Sequence, residues 1–214
     1  MSLVRSPALE SSEPRWISDE MRSEHMGASR IDSFTHRSLR VLWSVVWLLL
    51  YRPSPTPLHA WRRMLLRCFG ARIGPGAHPY PSAKVWAPWN LEMGAHSCLG
   101  PNVDCYAVDR VHIGEFATVS QYSYLCTATH DETDLRLPLV AAPIRIGSRA
   151  WVCADVFVGP GVTIGEGTVV GARSSVFKNV PAWVVAAGTP PKILRERWLR
   201  NGAAPMRPPD ADAA

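Results

Sequence analysis

Between residues 33 and 91 this chain has no aspartate or glutamate, yet the same stretch holds Arg37, Arg40, Arg52, Arg62, Arg63, Arg67, Arg72 and Lys84. The formal charge of +5 is thus gathered at one end. It is not interleaved along the rest of the chain, and no recognition motif accompanies it, so nucleic acid is not expected as a partner. The sequence also lacks an apolar run long enough to span a bilayer. Its most apolar stretch, 41–51, is well short of the about 20 residues such a helix needs. No early apolar segment of the secretory kind is present, and the N-terminus carries Arg5, Glu10 and Glu13. The five cysteines (Cys68, Cys98, Cys105, Cys126, Cys153) form no Cys-x-x-Cys pair and no zinc-ligand spacing. They read as reduced thiols in a core, which suits a reducing, cytoplasmic compartment.

What the chain does have is a beat of six. An aliphatic residue returns at Ile146, Val152, Val158, Ile164, Val170 and Val176, and glycine follows four of these at 147, 159, 165 and 171. Small or β-branched residues fill the fifth place of each hexad: Ala150, Val156, Val162, Thr168, Ser174 and Val180. The same beat runs earlier through Met93, Leu99 and Cys105, then Ile113, Val119 and Leu125. An α-helix has period 3.6 and a strand has period two, so neither fits. A short strand, a corner and another short strand do fit. Three such units close one triangular coil of a parallel β-helix around a stacked aliphatic column.

Around that column the 214 residues read as one domain with appendages. Residues 1–30 are polar, aperiodic and expected to be disordered. Residues 31–70 form a basic, Trp-rich helical segment, with helices over 34–51 and 58–69. The first ends before Arg52-Pro53 and the second is closed by Gly70. This segment could cap the coil or pack on another subunit, lie on an anionic membrane surface, or do both. The coil occupies 71–189 and is interrupted by a loop at 131–143, directly after His130. Solenoid insertions emerge as loops and often carry function. Residues 190–214 are read as a short basic C-terminal helix and a disordered tail.

Six stretches in this order carry a resemblance: YRPSPTPLHAWRRMLLRCFGARIG (51–74), APWNLEMGAHSCLG (87–100), CTATHD (126–131), APIRIG (142–147), VFVGPGVTIGEGTVVGARSSV (156–176) and AGTPPK (187–192). Together they resemble the hexapeptide-repeat acyltransferases, and within them the colanic acid biosynthesis acetyltransferases of the WcaF type. The resemblance covers about residues 35–195 and implies a mainly β, left-handed parallel β-helix. It also implies a homotrimer that moves an acetyl group from acetyl-CoA to a sugar hydroxyl, in exopolysaccharide assembly. A lipid-linked acceptor would bring such an enzyme to the inner membrane as a peripheral protein. The open alternatives are another small acceptor and a non-catalytic scaffold.

His130 is the first candidate for the chemistry. A sugar hydroxyl must lose its proton as it attacks a thioester, and a neutral imidazole can take it. The resembled sugar acetyltransferases have their catalytic histidine at this position. Asp131 could orient the imidazole, as in a triad, or simply start the loop. Asn102, Asp104 and Asp109 are candidates for orientation or sugar binding. Galactoside-type members use an asparagine where this chain has Gly100. Oxyanion donors are sought among backbone N–H groups of 120–124. For coenzyme A, the resemblance implies a groove made by Trp151, Ala154 and Ala172, with Lys178, Lys192 and Arg195 near its phosphates. The β-helical zinc enzymes need two histidines five residues apart. No pair here has that spacing, so no metal is expected.

Overall fold

The computed structural model describes residues 34–199. The expected segments 1–30 and 201–214 lie outside the described residues. Two helices open the described chain. The first, α1 (Phe34–Val46), continues through a π-helical turn at Trp47–Tyr51, and the second is α2 (His59–Cys68). Pro53, Pro55 and Pro57 separate them, since proline cannot donate to a continuing helix.

The coil has three parallel faces. The first stacks Arg72–Ile73, Leu91–Met93, Val111–Ile113, Ile144–Ile146 and Thr163–Ile164. The second stacks His78–Pro79, Cys98–Leu99, Thr118–Val119, Trp151–Val152, Val169–Val170 and Val184–Gly188. The third stacks Lys84–Val85, Asp104–Tyr106, Tyr124–Cys126, Phe157–Val158 and Ser175–Val176. The beat residues point inward: Leu99, Ile113, Val119, Leu125, Ile146, Val152, Val158, Ile164, Val170 and Val176 are all fully buried. The fifth-place hydroxyls are buried but satisfied, with Ser174 Oγ donating to the Gly171 carbonyl at 2.7 Å and Ser123 Oγ to Cys153 at 2.9 Å.

Departures from the regular coil fall at one corner. From Val158 on the third face to Ile164 on the first is six residues, but Val85 to Met93 and Cys105 to Ile113 are eight each, and Leu125 to Ile146 is 21. The corner between third and first faces therefore carries two bulges and, above them, the long loop. At the corner after the first face the opposite holds, and the chain cannot even carry a Cβ. One added at Gly114 would stand 2.5 Å from Ser148 N, and one at Gly147 would stand 2.5 Å from Glu166 N. Glycine follows the first-face aliphatic residue because successive coils touch there through backbone alone.

Neighbouring coils are joined by hydrogen bonds in both directions: several corner N–H groups bond downward, such as His96 N to Pro75 O and Tyr122 N to Pro101 O, while others bond upward. N–H groups of 74, 78, 80, 84 and 86 donate upward to carbonyls of 93, 97, 99, 103 and 105. The lowest coil has no further coil beneath it, and the helices supply donors to its downward-facing carbonyls. Trp43 Nε1 reaches Val85 O at 2.7 Å and Trp47 Nε1 reaches Ala83 O at 2.9 Å. Arg62 Nε meets Pro79 O at 2.7 Å, Arg63 Nη1 meets Ala77 O at 2.8 Å, and Arg67 Nε meets Ile73 O at 3.0 Å. Much of the arginine and tryptophan of the acid-free segment is explained by this edge. Arg62 is fully buried among such acceptors.

The expected C-terminal helix is corrected. Residues Pro191–Glu196 form a strand, antiparallel to Val184–Gly188. Val184–Gly188 would otherwise expose a sheet edge, and the chain, reversed at Gly188 (φ 108°), pairs with it. The cysteines also divide more finely than expected. Cys105 is buried, Cys98, Cys126 and Cys153 are half-buried, and Cys68 lies exposed on α2.

Two outcomes follow. Ile146→Ala should lower the unfolding free energy by about 2–5 kcal/mol through the cavity it leaves, read from urea midpoints. Burial pushes the Cys105 thiol up to about 12. In the folded protein a thiol reagent near neutral pH should therefore modify Cys68 readily and Cys105 only after denaturant is added, as peptide mapping would show.

Candidate active site

The long loop is a β-hairpin. Ala128–His130 pairs antiparallel with Leu139–Ala141, and His130 stands opposite Leu139. Its base is fixed by Thr127, a buried residue between the bulge below and the hairpin. Thr127 Oγ1 donates to Tyr106 O at 2.8 Å and accepts from Asp109 N at 2.9 Å, while its carbonyl accepts from Ala142 N at 2.9 Å. Val140 on the returning strand and Ala142 just after it are buried.

At the end of the outgoing strand the His130 ring is exposed. Its Nδ1 lies 2.6 Å from the Leu137 carbonyl. A carbonyl can only accept, so in the neutral ring Nδ1 carries the proton and Nε2 is left as a bare lone pair. Leu137 presents this carbonyl from a left-handed backbone (φ 47°), and its N–H is held by the Asp134 carbonyl at 2.8 Å. Asp134 is clamped in turn by Arg136 at 2.7 Å, which holds its carboxyl below the usual range.

Asp131 is mostly buried at the start of the turn. Its Oδ1 accepts from Thr133 N at 3.0 Å and from Thr133 Oγ1 at 2.6 Å, and its N–H donates to Pro138 O at 3.0 Å. Between the two readings for Asp131, these bonds favour the loop-shaping one. Sequence reasoning sought a carboxylate for His130 and missed a main-chain carbonyl, which no residue type announces.

The other candidates separate by corner. Asp109 sits in the bulge directly beneath the hairpin, its Oδ1 accepting from Arg110 N at 2.6 Å. Asp104 lies on the third face, 3.4 Å from Lys84 Nζ. Asn102 is at the far end of that face, in a left-handed corner (φ 56°) away from the loop. At Gly100 a Cβ would meet Val119 O at 2.8 Å, so the backbone leaves no room there for the asparagine of galactoside-type members. Of the expected oxyanion donors, Ser120 N, Tyr122 N and Tyr124 N bond to Val152, Pro101 and Val156 carbonyls.

Trp151 faces outward from the second face, half exposed, with Nε1 donating to Ser120 Oγ at 2.9 Å. Ala154 and Ala172 stand one coil apart at the corner between second and third faces, where Arg173 N donates to Ala154 O at 3.0 Å. Lys192 and Arg195 lie on the closing strand of the same second face, opposite Ala187 and Val185. Lys178 is exposed beyond the top of the third face, on the loop's corner. Within one chain, the histidine and the Trp151–Ala172 wall thus occupy opposite ends of the third face. Among the described residues no group of three or more His, Cys, Asp or Glu could hold a metal ion.

The model for "Bacterial transferase hexapeptide (six repeats)" matches residues 143–178. Over 156 residues the chain is 47% identical to the Escherichia coli K12 protein named "Putative colanic acid biosynthesis acetyltransferase WcaF", covering 73% of this chain and 86% of that protein. The chain belongs to the hexapeptide-repeat acetyltransferases. Galactoside O-acetyltransferase of Escherichia coli K12 is 33% identical over 141 residues, covering 63% of this chain and 68% of the relative. Among solved structures, a hexapeptide-repeat acetyltransferase from Vibrio cholerae O1 biovar eltor, complexed with acetyl coenzyme A, matches with TM-score 0.71 and 26% identity, covering 78% of this chain and 91% of that one. Family membership agrees with the parallel coil.

If Asp131 shapes the turn, Asp131→Ala should speed amide exchange at Thr133 and Leu137 by about tenfold or more. A hydrogen bond to a carboxylate is worth about 1.5–3 kcal/mol, and about 1.4 is a factor of ten. The urea midpoint of the coil should barely move. Unchanged exchange at both amides would contradict this role.

Proposed function

We propose that the protein transfers an acetyl group from acetyl-CoA to a hydroxyl of a saccharide acceptor in exopolysaccharide assembly, on the cytoplasmic side. The observation that carries this is the exposed His130 ring at the turn end of the outgoing strand, with Nδ1 tied to the Leu137 carbonyl and Nε2 left as the free lone pair. In the proposed reaction Nε2 takes the proton of the sugar hydroxyl as its oxygen attacks the thioester carbonyl. The ring becomes an imidazolium, and its Nδ1–H bond to Leu137 strengthens as charge develops. When the tetrahedral intermediate collapses, Nε2–H returns the proton to the departing thiolate. No metal is needed, because a thioester is already activated and one well-placed base covers both proton transfers.

Trp151, Ala154 and Ala172 would wall the pantetheine arm, and Lys192 and Arg195 would meet the phosphates. These groups and His130 sit at different corners of one chain. We therefore propose a homotrimer in which His130 of one subunit faces the donor groove of the next. Asp109, beneath the hairpin, is the best placed of the three polar candidates to meet the sugar.

The test is thiol release from acetyl-CoA with a panel of sugars and lipid-linked oligosaccharides. His130→Ala should lower kcat/KM by about 10²–10⁴-fold without changing the urea midpoint. Acceptor-dependent release that survives in His130→Ala would refute the assignment. Trp151→Ala should weaken coenzyme A binding by about tenfold in calorimetry, about 1.4 kcal/mol, with kcat at saturating donor little altered.

A further inference from the structure

The helix that caps the coil is apolar on two sides. Its inner side is used: Trp43 is buried against the lowest coil, and Val46 and Trp47 pack beside it. A second stripe at helical spacing (Val41, Leu42, Val45, Leu48 and Leu49) lies between 47% and 66% exposed. The neighbouring helix extends it. Leu58, Trp61 and Met64, at i, i+3 and i+6, are exposed, and Trp61 Nε1 donates to Leu50 O at 3.0 Å, which joins the two stripes. An apolar patch of this continuity marks a contact surface rather than scattered surface residues.

The charge around the patch has one sign. No acid occurs between residues 33 and 91, and exposed Arg52, Arg67 and Arg72 accompany the two helices. The arginines that cap coil carbonyls keep their charge, because a carbonyl neutralises none of it. No helix of the described residues is long and apolar enough to cross a membrane. An amphipathic, cationic helix with tryptophan beside its apolar stripe is suited to lie in the plane of an anionic bilayer surface, leucines in the acyl boundary and arginines at the headgroups.

We propose that the outer face of α1 and α2 docks the protein on an anionic lipid surface. A second copy of the chain would set like charges against each other across that face, whereas anionic headgroups complement it. The docking does not depend on the transfer chemistry, but it would bring that site to acceptors carried on lipid.

The experiment is vesicle flotation of the full chain with phosphatidylcholine alone and with phosphatidylcholine containing phosphatidylglycerol, at low and high salt. The protein should float with the phosphatidylglycerol vesicles and be released by salt, as headgroup attraction is screened. L48S/L49S should lower the bound fraction about tenfold or more, since burial of each leucine is worth at least about a decade in partition. Both leucines are exposed, so the variant should keep its urea midpoint. It should also keep its acetyl-CoA turnover with a soluble acceptor, which separates failure of docking from failure of the transfer reading. The proposal is overturned if the protein ignores both vesicle types, or if flotation is unchanged in L48S/L49S. It is also overturned if light scattering without lipid shows the assembly losing subunits in that variant, because the face would then be covered by another copy.

Discussion

Everything in this molecule hangs on the parallel pairing of each coil with the next. Each coil exchanges hydrogen bonds with the coil above and the coil below, so the first and last coils each have one edge that no coil covers. Stacking at strand-pairing distance, about 4.8 Å, forces backbone against backbone at the glycine corner. It also forces identical residue types to pile up in columns inside. The hexapeptide period is the sequence trace of that geometry. Aliphatic residues line the column, small residues fit where the chain turns, and glycine stands where a Cβ would strike the next coil.

The same constraint decides where variation is tolerated. The glycine corner has no slack, whereas the corner between third and first faces accepts two bulges and a hairpin with no break in the ladder. The candidate base, His130, sits at this permissive corner, on a rigid support. His130 gains a fixed tautomer from a carbonyl only seven residues further along, and the turn that presents it is tied by Asp131, Thr133 and Asp134. The loop after His130 can thus be shaped locally while its base is held by Thr127 and the buried Val140.

How much of this could be read from residues alone divides along the same line. The beat at Ile146, Val152 and Val158 reports a repeated environment, and repetition exposes the coil, its start near Ile73 and the loop position. His130 stood out because it sits where the beat stops. Features met only once were harder. The Leu137 carbonyl that orients His130 belongs to the main chain and leaves no mark in residue identity. Pro191–Glu196 is basic and follows a turn, which reads as a terminal helix. Only the unpaired edge of Val184–Gly188, a tertiary fact, makes it a strand. The acid-free N-terminal stretch was visible as an anomaly, but its use as a row of donors for the carbonyls of 73, 77, 79, 83 and 85 needed the coil to be seen first.

A parallel stack with a fixed repeat has no intrinsic length. Nothing in the hexads themselves tells the chain to stop, and the bottom of one bare stack would match the top of another, head to tail. The arginine and tryptophan donors beneath and the reversed strand above act as terminators. They convert a motif that could grow into a filament into a particle of defined size.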